Sequence, residues 1–287
     1  MPAESSWQIS EARTLEFDAP LDTLHVRVVN GTVNVVGTAE PGARVEITDV
    51  QGPPLTVTRE GGSLVVAYED VPWKGFLKWL DRKGWNRHVV VSVSVPAQVQ
   101  LSVGVVGANA FVSGMTGRTD VRGVSGDTTL VGLTGQVRAD TVSGNIETQG
   151  LTGRLSFNSV SGDLTVIDGS GSAVRADSVS GDMILDLGTD GTTDEMDVAL
   201  GTVSGAVAVR FPYPAHAKVE ANSAGGAVSS AFEELKAVGQ WGAKKVSGVL
   251  GDGSGRVKAN SVSGSIALLR RPAAPFDDEA PLFSKDV

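Results

Sequence analysis

Asp163 and Asp182 each follow a glycine directly, and they stand 19 residues apart in a chain of 287. Asp127 and Asn145 hold the same place after earlier glycines, at intervals of 18 residues. Polar groups recurring at a short fixed interval raise two kinds of chemistry. If the chain stacks on itself with that period, Asp163 and Asp182 become neighbours. A carboxylate pair is what glycoside hydrolysis uses, one as acid and the other as base or nucleophile. An acidic edge can also hold calcium, but calcium-binding nonapeptide repeats read Gly-Gly-x-Gly-x-Asp. Here Asp follows glycine at once, as in Gly162-Asp163, and the second glycine is missing. Both aspartates recur in step with the repeat, which favours a structural turn role. No metal ligand and no catalytic residue is assigned.

The remaining inventory is sparse. His25, His88 and His216 fall in unrelated contexts, and neither Gly-x-Ser-x-Gly nor Gly-Lys occurs. Gly251–Gly255 reads GDGSG, yet no apolar strand leads tightly into it and no helix pattern follows, so it is a poor phosphate loop. With no cysteine, disulfides, thiol catalysis and cysteine metal sites are excluded. The net charge of −9 opposes binding to a nucleic-acid backbone. No cofactor is implied.

One segment departs from the rest. Between Val71 and His88 stand Trp73, Trp79 and Trp85, three of the five tryptophans, together with Phe76. Lys74, Lys78, Arg82, Lys83 and Arg87 face a single acid, Asp81, so five positive charges less one negative give +4 on an acidic chain. Helical spacing places Trp73, Phe76, Leu77 and Leu80 on one face and Lys74, Lys78 and Arg82 off it. Two readings stand. One is a lid that covers an exposed flank. The other is a contact with an anionic membrane surface or an acidic partner.

The elements that position these groups follow from a tripeptide. Val-Ser-Gly occurs at Val124, Val142, Val160, Val179, Val203 and Val262, with first intervals of 18, 18 and 19 residues and a degenerate copy at Ala224-Gly225-Gly226. Halfway between two copies lies Leu151-Thr152-Gly153. Nine extended residues make one short strand and a corner, so 18 close one coil. After each glycine the pattern alternates. Leu164 and Val166 face in while Asp163 and Thr165 face out, and Leu155 and Phe157 face in while Arg154 and Ser156 face out. Gly126, Gly144, Gly162, Gly181, Gly205 and Gly264 are expected as corners, through a positive φ or a close approach of the next coil. The six valines are expected as one column of the core. Asp140, Asn158, Asp177, Asn222 and Asn260 are expected as a polar ladder, broken at Gly201.

The expected fold is all-β, a right-handed β-solenoid or parallel β-helix of about 18-residue coils with one or two short helical insertions, one over Ala231–Val238. Its organisation is an N-terminal arm over 1–14, an irregular β lead-in over 15–100, and repeats over 101–270 with an insertion at 229–249. The Pro-rich tail over 271–287 is expected to be disordered.

The Val29–Val35 run, the VSVSVPAQVQL turn into the repeats and the Val-Ser-Gly-Asp/Asn ladder together resemble the bacterial "putative adhesin" family of β-strand-repeat proteins, a domain of unknown function. The resemblance covers about residues 15–270. It implies a β-solenoid without enzymatic activity, some of whose relatives act in envelope-stress responses or at the cell surface. The expected function is a non-enzymatic binding scaffold in envelope homeostasis, with a bactofilin-like structural polymer or a carbohydrate-active β-helix enzyme as alternatives. The expected partner is a protein, a glycan or an anionic membrane surface. The chain is expected to be a monomer. The start lacks a basic and apolar leader pattern and no run is long enough to span a bilayer. The expected location is therefore the cytoplasm, with peripheral membrane attachment and surface exposure both left open.

Overall fold

The computed structural model describes residues 4–68, 86–170, 173–188, 196–240 and 243–272, and these are all-β. Their strands form two long sheets, of 14 and 12 strands. Successive strands enter the sheets alternately. Gln100–Val105 lies in the first sheet, Asn109–Ser113 in the second and Thr119–Gly123 in the first again, and so on to Val207–Phe211. As far as Ala173–Ser178 and Met183–Leu187, each pairs in parallel with the strand one repeat later. The local cause is the half-repeat, which has enough alternating residues for one short strand before a corner redirects the chain.

Register places like on like. In the first sheet Thr119, Val137, Leu155, Val174 and Val198 stand side by side on the inner face. The next inner column runs Val121, Ala139, Phe157, Ala176, Leu200. Phe157, 1% exposed, is flanked by two alanines, so one large ring is compensated by small neighbours. The second sheet contributes Ile146, Leu164, Met183 and Val207 to the same continuous core. Leu164, Val166, Leu155 and Phe157 thus point inward as the alternation requires. Two threonines interrupt the apolar columns: the Thr119 and Thr148 hydroxyls are buried without a hydrogen-bond partner.

The corners are held by three contacts. The hydroxyl three residues before the glycine accepts its N–H, as from Gly162 to Ser159 (2.7 Å) and from Gly144 to Thr141 (3.0 Å). The tripeptide serine donates to a valine carbonyl one repeat back, Ser161 to Val142 at 3.2 Å and Ser180 to Val160 at 3.2 Å. The glycine itself is crowded. A Cβ on Gly162 would lie 2.1 Å from the Gly144 carbonyl oxygen, and on Gly126, Gly144, Gly181, Gly205 and Gly264 it would lie 1.7–2.1 Å from the corresponding oxygen. The corner glycines are required by close approach and not by a positive φ, which none of the six has. Positive φ belongs to the opposite corner, at Gly114, Gly132 and Gly150.

Three expectations are corrected. The valines leave the core along the column: Val124 is in it and Val142 packs against it, whereas Val160, Val179, Val203 and Val262 are 46–56% exposed. The strand ends one residue earlier, at Ser159 or Ser178, so the valine falls in the turn and its side chain no longer obeys the strand alternation. No helix forms over Ala231–Val238. Val228–Ser230 and Lys236–Gln240 are strands, joined by a turn in which Leu235 N–H reaches the Phe232 carbonyl. No helical insertion is present among the described residues. The final repeats are also out of chain order. Gly255–Ser261 pairs with Asp197–Thr202 on one side and Ala217–Ser223 on the other, so the last Val-Ser-Gly fills a slot the chain first skipped.

Both ends of the stack change character. Strands Glu4–Ile9, Leu55–Glu60 and Ser63–Ala67 pair antiparallel at one end, and Ala217–Ser223, Ala243–Leu250 and Lys236–Gln240 do so at the other. Trp7 and Phe17 meet edge to face at 5.5 Å with Arg59 over the Phe17 ring, and Phe211 and Phe232 at 5.4 Å with Arg270 over the Phe232 ring. Asp186, 8% exposed, takes a forked contact from Arg210 and a 2.7 Å contact from Arg271, which also reaches Asp168. The Arg210 hydrogen bond, with Arg271 behind it, holds the Asp186 carboxyl below its ordinary value. The stabilisation this gives is present above the ordinary aspartate pKa and is lost as pH falls through the lowered one.

Two mutational outcomes follow. Gly162→Ala drives a Cβ into a backbone oxygen and is expected to cost about 3 kcal/mol. Gly132→Ala meets only the left-handed φ, with no atom within 4 Å, and is expected to cost about 1–2 kcal/mol. Equal costs in urea unfolding would refute the close-approach account. Thr148→Val removes an unsatisfied buried hydroxyl at similar volume and is expected to raise stability by about 1 kcal/mol. A lower unfolding midpoint for this variant would show that the hydroxyl has a partner after all.

Candidate functional site: a carboxylate ladder and two outer faces

The Asp/Asn positions after the corner glycines form a ladder, and its geometry fixes their role. Asn109 Oδ1 accepts the Asp127 N–H at 3.1 Å, Asp127 Oδ1 accepts that of Asn145 at 3.0 Å, and Asn145 Oδ1 accepts that of Asp163 at 3.1 Å. Asp163 Oδ1 then accepts the Asp182 N–H and Asp182 Oδ1 the Ala206 N–H, both at 2.7 Å. Each side chain thus satisfies a backbone donor one repeat on, where the corner leaves it without a ladder partner. Asn and Asp serve equally, because only an acceptor oxygen is needed. Among the described residues no three His, Asp or Glu side chains converge on a point that would hold a metal ion.

The other candidate groups are dispersed. His88 Nε2 lies 3.2 Å from an Asp49 carboxylate oxygen, His216 Nδ1 lies 3.1 Å from one of Asp252, and His25 sits on the strand Thr23–Val28. The GDGSG loop borders an open cleft of about 560 Å³ with Asp197, Lys218 and Arg256. Its amides are already used. Asp252 N–H donates to His216 Nδ1, Gly253 N–H to the Leu250 carbonyl, and Ser254 N–H to Asp252 Oδ1. Gly255 and Arg256 N–H donate to the His216 and Met196 carbonyls. A phosphate would find no cradle of free donors there.

Trp73, Lys74, Phe76, Lys78, Trp79, Arg82, Lys83 and Trp85 lie outside the described residues; of the proposed contact segment, only Arg87 lies within them. It is 7% exposed, with its guanidinium 4.9 Å from the centre of the Tyr68 ring. Its carbonyl accepts from Asn30 Nδ2 at 3.1 Å, and it lines a cleft of about 340 Å³ with Asn30, Gln51, Gly52, Asn86 and His88.

The two outer faces differ chemically. On the first sheet Asp120, Arg122, Arg138, Asp140, Arg175 and Asp177 alternate in sign, with Arg118 forked on Asp120 and Arg138 on Asp140. The expected ladder lies on this face, with Asp140, Asn158, Asp177 and Gly201 in register and Asn158 Nδ2 donating to Asp140 at 2.8 Å. The second sheet instead exposes Val36, Phe111, Ile184 and Leu269, with the half-buried Val131 and Ile167 between them. Sequence alternation marked these positions as outward without separating one face from the other. Only the strand-to-sheet assignment shows that the first sheet carries a regular row of paired charges, while those of the second, such as Asp186 and Arg210, are interspersed with exposed apolar side chains.

No protein-family profile and no curated protein matches the sequence. Solved structures with a similar chain path include a "putative adhesin" from Bacteroides fragilis NCTC 9343, 11% identical with a TM-score of 0.47, covering 91% of this chain and 97% of that one. Another is a "putative lipid binding protein" from Parabacteroides distasonis ATCC 8503, 14% identical with a TM-score of 0.40 over the same shares. A third is a "putative cell adhesion protein" from Clostridium sporogenes ATCC 15579, 9% identical with a TM-score of 0.31, covering 91% and 100%. No functional assignment rests on likenesses this distant.

The ladder makes a discriminating prediction. Asp163→Asn keeps the acceptor and is expected to leave stability within about 0.5 kcal/mol, whereas Asp163→Ala is expected to lose about 1 kcal/mol. Millimolar calcium should move neither midpoint. A calcium-dependent rise in the wild type that disappears in Asp163→Asn would show an ion site instead.

Proposed function

We propose that the chain is a non-enzymatic β-solenoid of about 18-residue right-handed coils, acting as an adhesin-like binding scaffold in envelope homeostasis. The alternating sheet assignment and the constant register support the coiled reading, and right-handedness is the normal sense of a parallel crossover. The observation that carries the functional reading is the fate of the repeated polar groups. Asp127, Asn145, Asp163 and Asp182 spend acceptor oxygens on neighbouring backbone, and the corner serines bridge repeats. These groups are the ones a carbohydrate-cleaving site would need free. Two broad faces of different character remain, which is what a binding scaffold offers. The tryptophan- and lysine-rich segment 72–88 is the proposed contact for an anionic membrane surface, placing the chain at the membrane periphery. The polymer alternative fits less well, because antiparallel strands end the first sheet at both sides, each beside an aromatic cluster.

The test is retention without turnover. The full chain is expected to sediment as a monomer, to bind vesicles of mixed neutral and anionic phospholipid in a salt-sensitive way, and to release no product from a glycan panel. The double variant Lys78→Ala, Trp79→Ala is expected to lose most vesicle binding at an unchanged melting temperature. Released sugar products, or filaments by electron microscopy, would overturn the reading.

A further inference from the structure

On the outer face of the first sheet, near its N-terminal end, three neighbouring strands bring together groups that no repeat explains. Arg27, Gly104 and Arg122 stand in register on strands Thr23–Val28, Gln100–Val105 and Thr119–Gly123. His25, Ser102 and Asp120 form the adjoining row. Because neighbouring strands lie about 4.8 Å apart, the two arginines flank a gap of roughly 10 Å whose middle position carries no side chain.

The charges in this patch are not balanced. Arg27 is half-buried, and among the described residues no hydrogen bond or ion pair joins it to a carboxylate. Arginine is seldom withdrawn from water without a partner. Arg122 fares little better. Its Nε is 3.9 Å from Asp140 Oδ2, beyond hydrogen-bond distance, while Arg138 holds that carboxylate at 2.9 Å and Asn158 donates to it at 2.8 Å. The other nearby acid, Asp120, is taken by the Arg118 fork at 2.9 and 3.2 Å. His25 Nδ1 is buried with no partner. Burial first, and then Arg27, lower the His25 pKa, while burial and the like charge of Arg122 lower that of Arg27. The arginines therefore repel one another on a chain that is acidic overall.

We propose that Arg27 and Arg122, with Gly104 between them and His25 beside them, form a binding site for a phosphate-type oxyanion. A tetrahedral anion with three or more acceptor oxygens can take N–H donors from both guanidinium groups at once, whereas a planar carboxylate suits one fork. Gly104 puts no side chain of its own between the two arginines. The anion would relieve the Arg27–Arg122 repulsion and give the half-buried charge its missing partner. The same chemistry is offered by free phosphate and by the headgroup of phosphatidic acid.

Calorimetric titration with inorganic phosphate at constant ionic strength, and co-sedimentation with phosphatidylcholine vesicles with and without phosphatidic acid, test the site. The wild type is expected to saturate with at least one probe. Arg27→Gln and Arg122→Gln are each expected to weaken that binding about tenfold or more. Arg175→Gln, on the same face but paired with Asp177, should leave it unchanged. Without phosphate, Arg27→Gln should melt no lower than the wild type, since it removes a repulsion. If Arg27→Gln fails to fold, Arg122→Gln decides alone. Saturation by phosphate only identifies a small solute as the source of the anion, and by vesicles only a lipid headgroup. Saturation by neither, or undiminished binding in the arginine variants, overturns the proposal. The Lys78 and Trp79 double variant should leave phosphate binding intact, so failure of this site and failure of the segment 72–88 contact are separable.

Discussion

At each Val-Ser-Gly corner the backbone oxygen of one repeat lies where the next repeat's Cβ would have to be. This close approach sets the pairing of everything that follows. A strand slipped by one residue would turn its apolar side chains to solvent and its charges to the core. The corner prevents the slip in three ways at once: the glycine fits one oxygen, the preceding hydroxyl takes the glycine N–H, and the serine reaches back to a fixed carbonyl. With the register fixed, a bulky ring such as Phe157 can meet alanine on both sides and close the core without a void.

Much of this was legible before any coordinates. Alternation after each glycine gave the inward residues Leu155, Phe157, Leu164 and Val166, and the 18-residue interval gave the parallel stacking of like positions. What misled was a hydrophobe in a turn. Val160 looks like the first residue of the next strand, yet it sits where the backbone bends, and side chains in a bend do not follow the period of two. The stretch Ala231–Val238 has helix-favouring Glu, Leu and Ala, but edge pairing to Ala243–Leu250 overrides that local preference. The Arg27 patch was not legible at all. Its residues come from positions 25–27, 102–104 and 122, and no motif links them; only the sheet register does.

The same comparison separates scaffold from function. Groups that recur with the repeat are accounted for by the repeat: the ladder acceptors by neighbouring amides, the corner serines by neighbouring carbonyls. A binding role is better sought in residues that break the pattern. Gly104 puts no side chain between Arg27 and Arg122. Arg27 has no carboxylate opposite it, while Arg118 and Arg138 each do. The segment 72–88 has a composition unlike any repeat. These departures lie in the first half of the chain, and the most regular repeats lie at and beyond them.

The order of the last strands shows how that support is closed. The chain lays down Ala217–Ser223 and the hairpin after it before returning to fill the gap with Gly255–Ser261 and Ile266–Arg270. The final repeat is therefore paired on both sides, with an antiparallel hairpin outermost in the first sheet and Val228–Ser230 outermost in the second. A nearest-neighbour stack can ordinarily unravel from its ends. Here the terminal hairpin is held by Ala217–Ser223, which itself covers the inserted repeat, and Arg271 ties that repeat to Asp186 two strands away and Asp168 three strands away. The long loop this closure requires makes it slow to form. It also leaves the last repeat covered on both sides, so unravelling from this end must begin with the strands outside it.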